Sequence, residues 1–149
     1  MSQRLMIRAR PPRSAAVALL QAQGLPVADI TEEHLEHFFF AGPDGSPTGL
    51  VGLELHGPNA LLRSLAVGDN ARGKGLGSTL VEHAEQYAAS KNVRSIYLLT
   101  TTAEAFFKRL GYERIERSQA PLSIERTREF ASLCPASSAF MVKSLKTTG

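Results

Sequence analysis

The sequence predicts an α/β (α+β) fold, with about six to seven strands and helices packed against them. Two observations carry this reading. From Phe38 to Val67 three apolar strands follow one another through the short turns at Gly42–Ser46 and Gly57–Asn59, which makes a meander. From Gly68 onward the apolar period changes, and a basic glycine-rich turn leads into a helix, a strand and a second helix.

Taken in order, Leu5, Ile7 and Ala9 alternate with Met6 and Arg8 as a short first strand, which Arg10-Pro11-Pro12-Arg13 ends. Ser14 is the expected N-cap of a helix carrying Val17, Leu19 and Leu20, closed by Gly24 and followed by Pro26. Thr31 with Glu32, Glu33 and His34 opens a helical turn before the Phe38-Phe39-Phe40 strand. Leu50–Leu55 and Leu61–Val67 complete the meander. The longest helix runs from Leu76 to Ser90, where Leu76, Leu80, Val81, Ala84, Tyr87 and Ala88 recur at helical spacing, and Asn92 closes it. Ser95–Leu99 is a short buried strand. Ala103–Leu110 is a helix with Ala103, Phe106, Phe107 and Leu110 inward and Gly111 at its C′ position. Pro121 and Ser123 start a helix over Ile124–Leu133, and Phe140–Val142 supplies the last strand.

The chain of 149 residues, 43% apolar and 21% charged, has the size of one domain, expected over residues 1–149 around one core. It is too apolar for a disordered protein, and its longest strictly apolar run, Ala15–Leu20, is far short of the roughly 20 residues of a membrane helix. No membrane partner is expected. One cysteine, Cys134, allows no intrachain disulfide and no cysteine-cluster metal site, which points to the cytoplasm. Seventeen Lys+Arg against fourteen Asp+Glu leave +3, scattered along the chain, which suits an anionic small ligand better than nucleic acid. Arg4, Arg8, Arg10 and Arg13 precede the first acid, Asp29, but the Pro-Pro step interrupts the amphipathic helix a transit peptide needs.

The segment from Leu61 through Gly68 and Gly77 to Leu80 is a strand, a basic glycine turn and a helix start. Free amides at a helix N-terminus bind anionic oxygens, and glycines let them come close, so the ligand should carry phosphates. Gly68-x-x-x-x-Gly73-Lys74 begins like a Walker A loop but continues with Gly75, where the magnesium-holding hydroxyl belongs. Gly73-x-Gly75-x-x-Ser78 lacks the third glycine of a dinucleotide fingerprint and follows a meander.

Arg72-x-x-Gly75-x-Gly77 closely resembles the pyrophosphate-binding motif of the GNAT acyltransferase superfamily. The resemblance extends over nearly the whole chain, through the meander, the long helix, Tyr97-Leu98-Leu99 and Ala103-x-x-Phe106-Phe107-x-x-x-Gly111-Tyr112. It implies a mixed, mostly antiparallel central sheet of about six to seven strands flanked by helices, with acetyl-CoA as cosubstrate. By the same resemblance, the backbone of Leu65, Ala66 and Val67 pairs with the pantetheine arm. The amides of Arg72, Gly73, Lys74, Gly75, Leu76, Gly77 and Ser78 take the pyrophosphate. Phe107 stands on the cofactor side, where many members carry a tyrosine that protonates the leaving thiolate. Arg-Ser-Leu-Ala-Val before the loop and Thr127-x-Glu129-Phe130-x-x-Leu133-Cys134-Pro135-x-Ser137 are similar to the small acetyltransferases of arsenic-resistance operons, and less closely to amino-acid N-acetyltransferases.

Acetyl transfer from a thioester to an amine needs a neutral nitrogen, help for the oxyanion and a proton for the leaving thiolate. Glu54, an isolated acid in Leu53-Glu54-Leu55, is the candidate base, although alternation along the strand equally allows its face to be exposed. His34, His37 and His56 are alternatives, and His83 reads as a surface residue beside Glu82 and Glu85. No histidine pair has convincing metal-ligand spacing, so no metal is expected. Because phenylalanine has no proton to give, water, Tyr97, Tyr112 or Thr100 to Thr102 must serve the thiolate, or no side chain at all. Arg63 is either paired with an acid or aimed at a substrate carboxylate; we expect carboxylate recognition, and count Ser64, its neighbour on the other face of the strand, among the substrate-binding residues. Cys134 reads as packing rather than as a nucleophile. The expected activity is N-acetylation of a small, amino-acid-like amine by direct transfer in a ternary complex, by a monomer or homodimer, with a link to arsenic resistance implied by the operon resemblance. The rival reading is a non-catalytic acyl-CoA-binding module or sensor.

Overall fold

The computed structural model describes residues 6–133 and 137–145, so Leu5 and Cys134 lie outside the described residues. In chain order the elements are β1 (Ile7–Ala9), α1 (Arg13–Ala22), α2 (Glu32–Leu35), β2 (Phe38–Ala41), β3 (Gly49–His56), β4 (Asn59–Val67) and α3 (Leu76–Ser90). They continue with β5 (Ser95–Thr100), α4 (Glu104–Arg109), β6 (Glu113–Ile115), α5 (Leu122–Glu125) and β7 (Ala139–Ser144). The seven strands form one sheet in the order β1-β2-β3-β4-β5-β7-β6. The β1–β2, β2–β3, β5–β7 and β6–β7 pairs are antiparallel and β4–β5 is parallel, which is the mixed, mostly antiparallel sheet expected from the sequence. Among the described residues no helix is long and apolar enough to cross a membrane.

The chain groups into two compact units, each with its own core. One holds the chain up to Leu53 together with Ser64–Ala84. Its core gathers Ala16 and Leu20 of α1, Ile30, Leu35, Phe38 and Phe40 of β2, Leu50 and Ala66. All four β2 residues are buried. Phe38 and Phe40 join the α1 side, while Phe39 meets the His83 ring edge-on at 4.8 Å. His83 is therefore half-buried against an aromatic ring, a correction to the surface role expected from its neighbours Glu82 and Glu85. Burial lowers its pKa from 6.5. Helix α1 starts two residues earlier than expected. Pro12, extended at ψ 134°, is its N-cap, because the Ala16 amide donates to the Pro12 carbonyl at 2.9 Å, and Ser14 lies inside the first turn. The helix ends as the glycine predicts: Gly24 has φ +71° and the Leu25 amide returns to Leu20 O at 2.9 Å. At α2, Thr31 Oγ1 accepts from the His34 amide at 3.3 Å and His34 Nδ1 accepts from the Thr31 amide at 3.2 Å, a reciprocal cap.

The other unit holds Glu54–Arg63 and the chain from Glu85 onward. Leu61, Ile124 and Phe140 form its buried cluster, with Tyr97, Leu99, Ile115 and Phe130 packed against it. The parallel register of β4 with β5 runs over Asn59–Leu61 and Ser95–Tyr97. In α4 only Phe107 of the expected inward face is buried; Ala103, Phe106 and Leu110 are half-buried. Gly111 ends that helix at φ +100°, and the Tyr112 amide bonds to Phe107 O at 3.0 Å. The single helix expected over Ile124–Leu133 is instead a short α5 followed by a π-helical turn over Glu129–Leu133. Thr127 separates them: its buried hydroxyl donates to Ile124 O at 2.7 Å and accepts from the Phe130 amide at 3.3 Å, replacing helical bonds of the main chain.

Candidate functional site

The first unit takes up β4 at Ser64, where the strand has a backbone kink. Ser64 has φ +59°, a left-handed conformation that disfavours a side chain, in the middle of an otherwise extended strand. The next three residues alternate, with Ala66 buried in the core and Leu65 and Val67 half-buried. The Gly68 amide donates to Thr48 O at 2.8 Å, and a turn of 3₁₀ helix over Asp69–Ala71 follows.

The loop is then drawn into shape by Arg72. Its Nε reaches Val67 O at 3.4 Å and lies 3.6 Å from Asp69 Oδ1, and its Nη2 bonds to Gln23 Oε1 at the end of α1. Gly73 and Gly75, on either side of the exposed Lys74, each have φ +78° with no atom within 4 Å of where a Cβ would stand. These positions need glycine for their conformation and not for space. The first main-chain bond of α3 is Thr79 N to Gly75 O at 3.1 Å, reinforced by the Thr79 hydroxyl on the same carbonyl at 3.0 Å. The amides of Leu76, Gly77 and Ser78 precede that bond and belong to the first turn, whose donors have no partner inside the helix. Leu76 itself is buried, so it has only its main chain to offer a ligand. A left-handed glycine, a lysine and a second left-handed glycine running into a free helix N-terminus make an anion cradle.

In the second unit the structure brings Glu54 and Arg63 together. Arg63, with no exposed side-chain surface, donates through Nη1 to Glu54 Oε2 at 2.6 Å, and its Nη2 is 3.9 Å from Glu129 Oε1. The other Glu54 oxygen is 3.4 Å from His56 Nε2, and the Glu54 side chain is 10% exposed. One buried guanidinium thus faces two carboxylates, and His56 Nε2 approaches one of them without a hydrogen bond. Sequence reasoning placed Glu54 and Arg63 on separate strands and did not single out Glu129; its only signal was an acid in the Thr127-x-Glu129-Phe130 segment.

Phe107 packs edge-on against Phe106, at 5.1 Å between ring centroids, and against Tyr112, at 5.6 Å. Tyr112 is buried, and its hydroxyl donates to Glu85 Oε2 at 2.9 Å. Lys143 Nζ donates to both Glu85 oxygens, at 3.0 and 3.1 Å, and to Leu110 O at 2.8 Å. Burial and the adjacent Glu85 carboxylate push the Tyr112 phenol far above its ordinary value. That proton is committed to tying the turn between α4 and β6 to α3, which Lys143 ties in turn to β7. Tyr97 stacks on Phe140 at 5.6 Å, and burial raises its pKa as well. Neither tyrosine matches a proton donor poised near neutral pH.

The chain matches the acetyltransferase (GNAT) family over residues 5–112. An uncharacterized N-acetyltransferase of Chlorobaculum tepidum is 38% identical over 95 residues, covering 63% of this chain and 61% of that protein. Among solved structures, N-acetylglutamate synthase from Neisseria gonorrhoeae, complexed with coenzyme A and N-acetyl-glutamate, superposes with a TM-score of 0.81 at 20% identity, over 98% of this chain and 36% of that one. A Mycobacterium tuberculosis protein in complex with CoA gives a TM-score of 0.74 at 22% identity, over 95% of this chain and 99% of its own. At these identities the structural likeness bears on the fold. The chain spans less than two thirds of the Chlorobaculum relative and of the Neisseria synthase.

Proposed function

The chain belongs to the acetyltransferase (GNAT) family, and on that premise we propose that it is an acetyl-CoA-dependent N-acetyltransferase acting on a small, amino-acid-like amine by direct transfer in a ternary complex. The observation that carries the reading is the pair of left-handed glycines, Gly73 and Gly75, at the entry to α3. Amides from Arg72 to Ser78 would take the pyrophosphate, and the backbone of Leu65, Ala66 and Val67 would run beside the pantetheine arm. Arg72 acts chiefly on the loop itself, holding its shape through Val67, Asp69 and Gln23.

In the reaction the acceptor nitrogen attacks the thioester carbon, the carbonyl oxygen takes up the negative charge, and the carbon–sulfur bond breaks to release CoA thiolate. The acceptor ammonium must first lose a proton. Glu54 is the proposed acceptor of that proton, through the oxygen that does not receive Arg63. Arg63 positions Glu54, and its own charge is taken up by Glu54 and Glu129. The proton of the leaving thiolate comes from solvent, since Phe107 has none and Tyr112 is held by Glu85. A thiolate is a good leaving group and needs little assistance.

Thiol release from acetyl-CoA across a panel of amino acids and simple amines tests the reading. Release that depends on both substrates supports it. Acetyl-CoA binding with no turnover on any amine would favour a non-catalytic acyl-CoA sensor. In the same assay Arg63→Ala, in whatever fraction stays folded, should lower turnover because Glu54 loses the cation that positions it, while sparing acetyl-CoA affinity. Glu54→Gln should lower turnover by roughly 10²-fold at neutral pH, a loss that shrinks at high pH, where the amine is already neutral.

A further inference from the structure

Helix α1 ends beside the glycine turn, and Gln23 makes the contact between them. Gly24 at φ +71° and the return of the Leu25 amide to Leu20 O stop the helix, and the Gln23 amide itself bonds to Leu19 O and Leu20 O at 3.2 and 3.1 Å. The backbone of Gln23 is therefore fixed by the helix end, while Ala16 and Leu20 fix the helix in the core. Its half-buried side chain reaches across 49 positions of sequence to Arg72, whose Nη2 donates to Gln23 Oε1.

Arg72 stands at the end of the 3₁₀ turn, immediately before Gly73. Gly73 and Gly75, with free space around both, leave the turn a wide choice of conformations, so its amides are in place for an anion only if the chain ahead of Gly73 is held. The local contacts of Arg72 hold it weakly. Its Nε lies 3.4 Å from Val67 O, longer than the usual range of such a bond, and the 3.6 Å approach to Asp69 joins side chains that are 60% and 83% exposed. Among the described residues, the bond to Gln23 is the one that comes from outside the run from β4 to α3, and it comes from an element anchored in the core.

We propose that Gln23 is a positioning residue for the pyrophosphate of CoA: through Arg72 it holds the Gly73–Gly75 turn in the conformation that presents its amides. A side chain of α1 that touches no ligand thus sets part of the cofactor affinity. The role rests on the reading of this turn as the CoA site. The Arg72 guanidinium serves in it as a tether and not as a phosphate ligand, and the gain is one of pre-organisation, since a turn ordered beforehand loses less conformational freedom when the anion arrives.

The test is calorimetric titration of the whole chain with CoA and with pantetheine, which ends before the pyrophosphate, for wild type, Gln23→Met, Arg72→Met and the double variant. Methionine matches the length of glutamine and its fitness for a helix while removing the acceptor oxygen. Gln23→Met should weaken CoA roughly three- to tenfold, with pantetheine affinity and the thermal midpoint unchanged. Arg72→Met should weaken CoA at least as much, and Gln23→Met should add nothing further in that background, because the tether is already cut. CoA affinity equal in wild type and Gln23→Met, additive losses in the double variant, or an equal loss for both ligands would overturn the proposal and leave the CoA site standing. Failure of wild type to bind CoA would overturn both. Should pantetheine bind too weakly to titrate, the double variant decides alone.

Discussion

Removing the charge of Glu54 and removing that of Arg63 should not cost the same, and the difference follows from the third member of the cluster. Breaking a buried ion pair by deleting one partner costs about 3–5 kcal/mol, because the other charge is left uncompensated. In Glu54→Gln the stranded charge is the Arg63 guanidinium, with no exposed side-chain surface, but Glu129 remains 3.9 Å away as a second carboxylate. The expected loss is therefore below that range, about 2 kcal/mol. In Arg63→Met the stranded charges are two carboxylates, Glu54 at 10% exposure and Glu129 at 7%, with their common cation gone. The expected loss is about 4 kcal/mol. The double variant Glu54→Gln/Arg63→Met should be less destabilised than the two single losses together, since both ends of the 2.6 Å pair are gone. Urea denaturation at neutral pH reads these losses from the midpoints, provided the slope stays constant. Equal losses in the two single variants, or a strictly additive double variant, would refute the picture of one guanidinium shared by two carboxylates. The same measurement keeps the turnover loss of Glu54→Gln interpretable, because it shows how much of the variant is folded under assay conditions.

Three further outcomes are expected from the packing. Gly52→Ala should destabilise by about 1–3 kcal/mol, because the new Cβ would meet Cδ1 of the buried Phe38 ring at 2.7 Å; an unchanged denaturation midpoint would contradict that. Burial against Phe39 lowers the His83 pKa from 6.5, so the unfolded chain binds the proton more readily; the stability His83 contributes is complete above that value and lost as pH falls below it toward the lowered folded value. His83→Gln should flatten the corresponding part of the stability profile, and an identical profile would remove His83 as a source. Tyr112→Phe should leave kcat unchanged while lowering the thermal midpoint, since its hydroxyl serves Glu85 and not the reaction; a drop in kcat with an intact fold would show otherwise.

What could be read in the sequence was whatever local chemistry dictates. The glycine loop and α3 came out at their observed bounds, Leu76 to Ser90, because left-handed positions require glycine and a long amphipathic helix repeats its apolar residues. Strands β2, β3, β4, β5 and β7 came out one to three residues short and β1 came out long, since pairing with neighbours and not side-chain type sets their ends. The break at Thr127 was hidden because threonine fits a helix in composition, and only its hydroxyl's choice of Ile124 O as acceptor ends the turn. His83 was misplaced because its sequence neighbours are acids while its spatial neighbour is Phe39. The Arg63 contacts with Glu54 and Glu129 span separate elements, so no local pattern could have joined them.

The central claim is that the turn from Arg72 to Ser78 holds the pyrophosphate of CoA, and it is tested most directly by comparing CoA with pantetheine, which lacks that pyrophosphate. Calorimetric titration of wild type and Gly75→Val with both ligands separates the loop from the rest of the site. A Cβ at position 75 meets no atom within 4 Å, but valine cannot keep φ at +78°, so the effect should be confined to the loop. The account predicts that Gly75→Val loses at least roughly tenfold in CoA affinity, the equivalent of about 1.4 kcal/mol, while pantetheine binds both proteins alike. Undiminished CoA affinity in a folded Gly75→Val protein would contradict it.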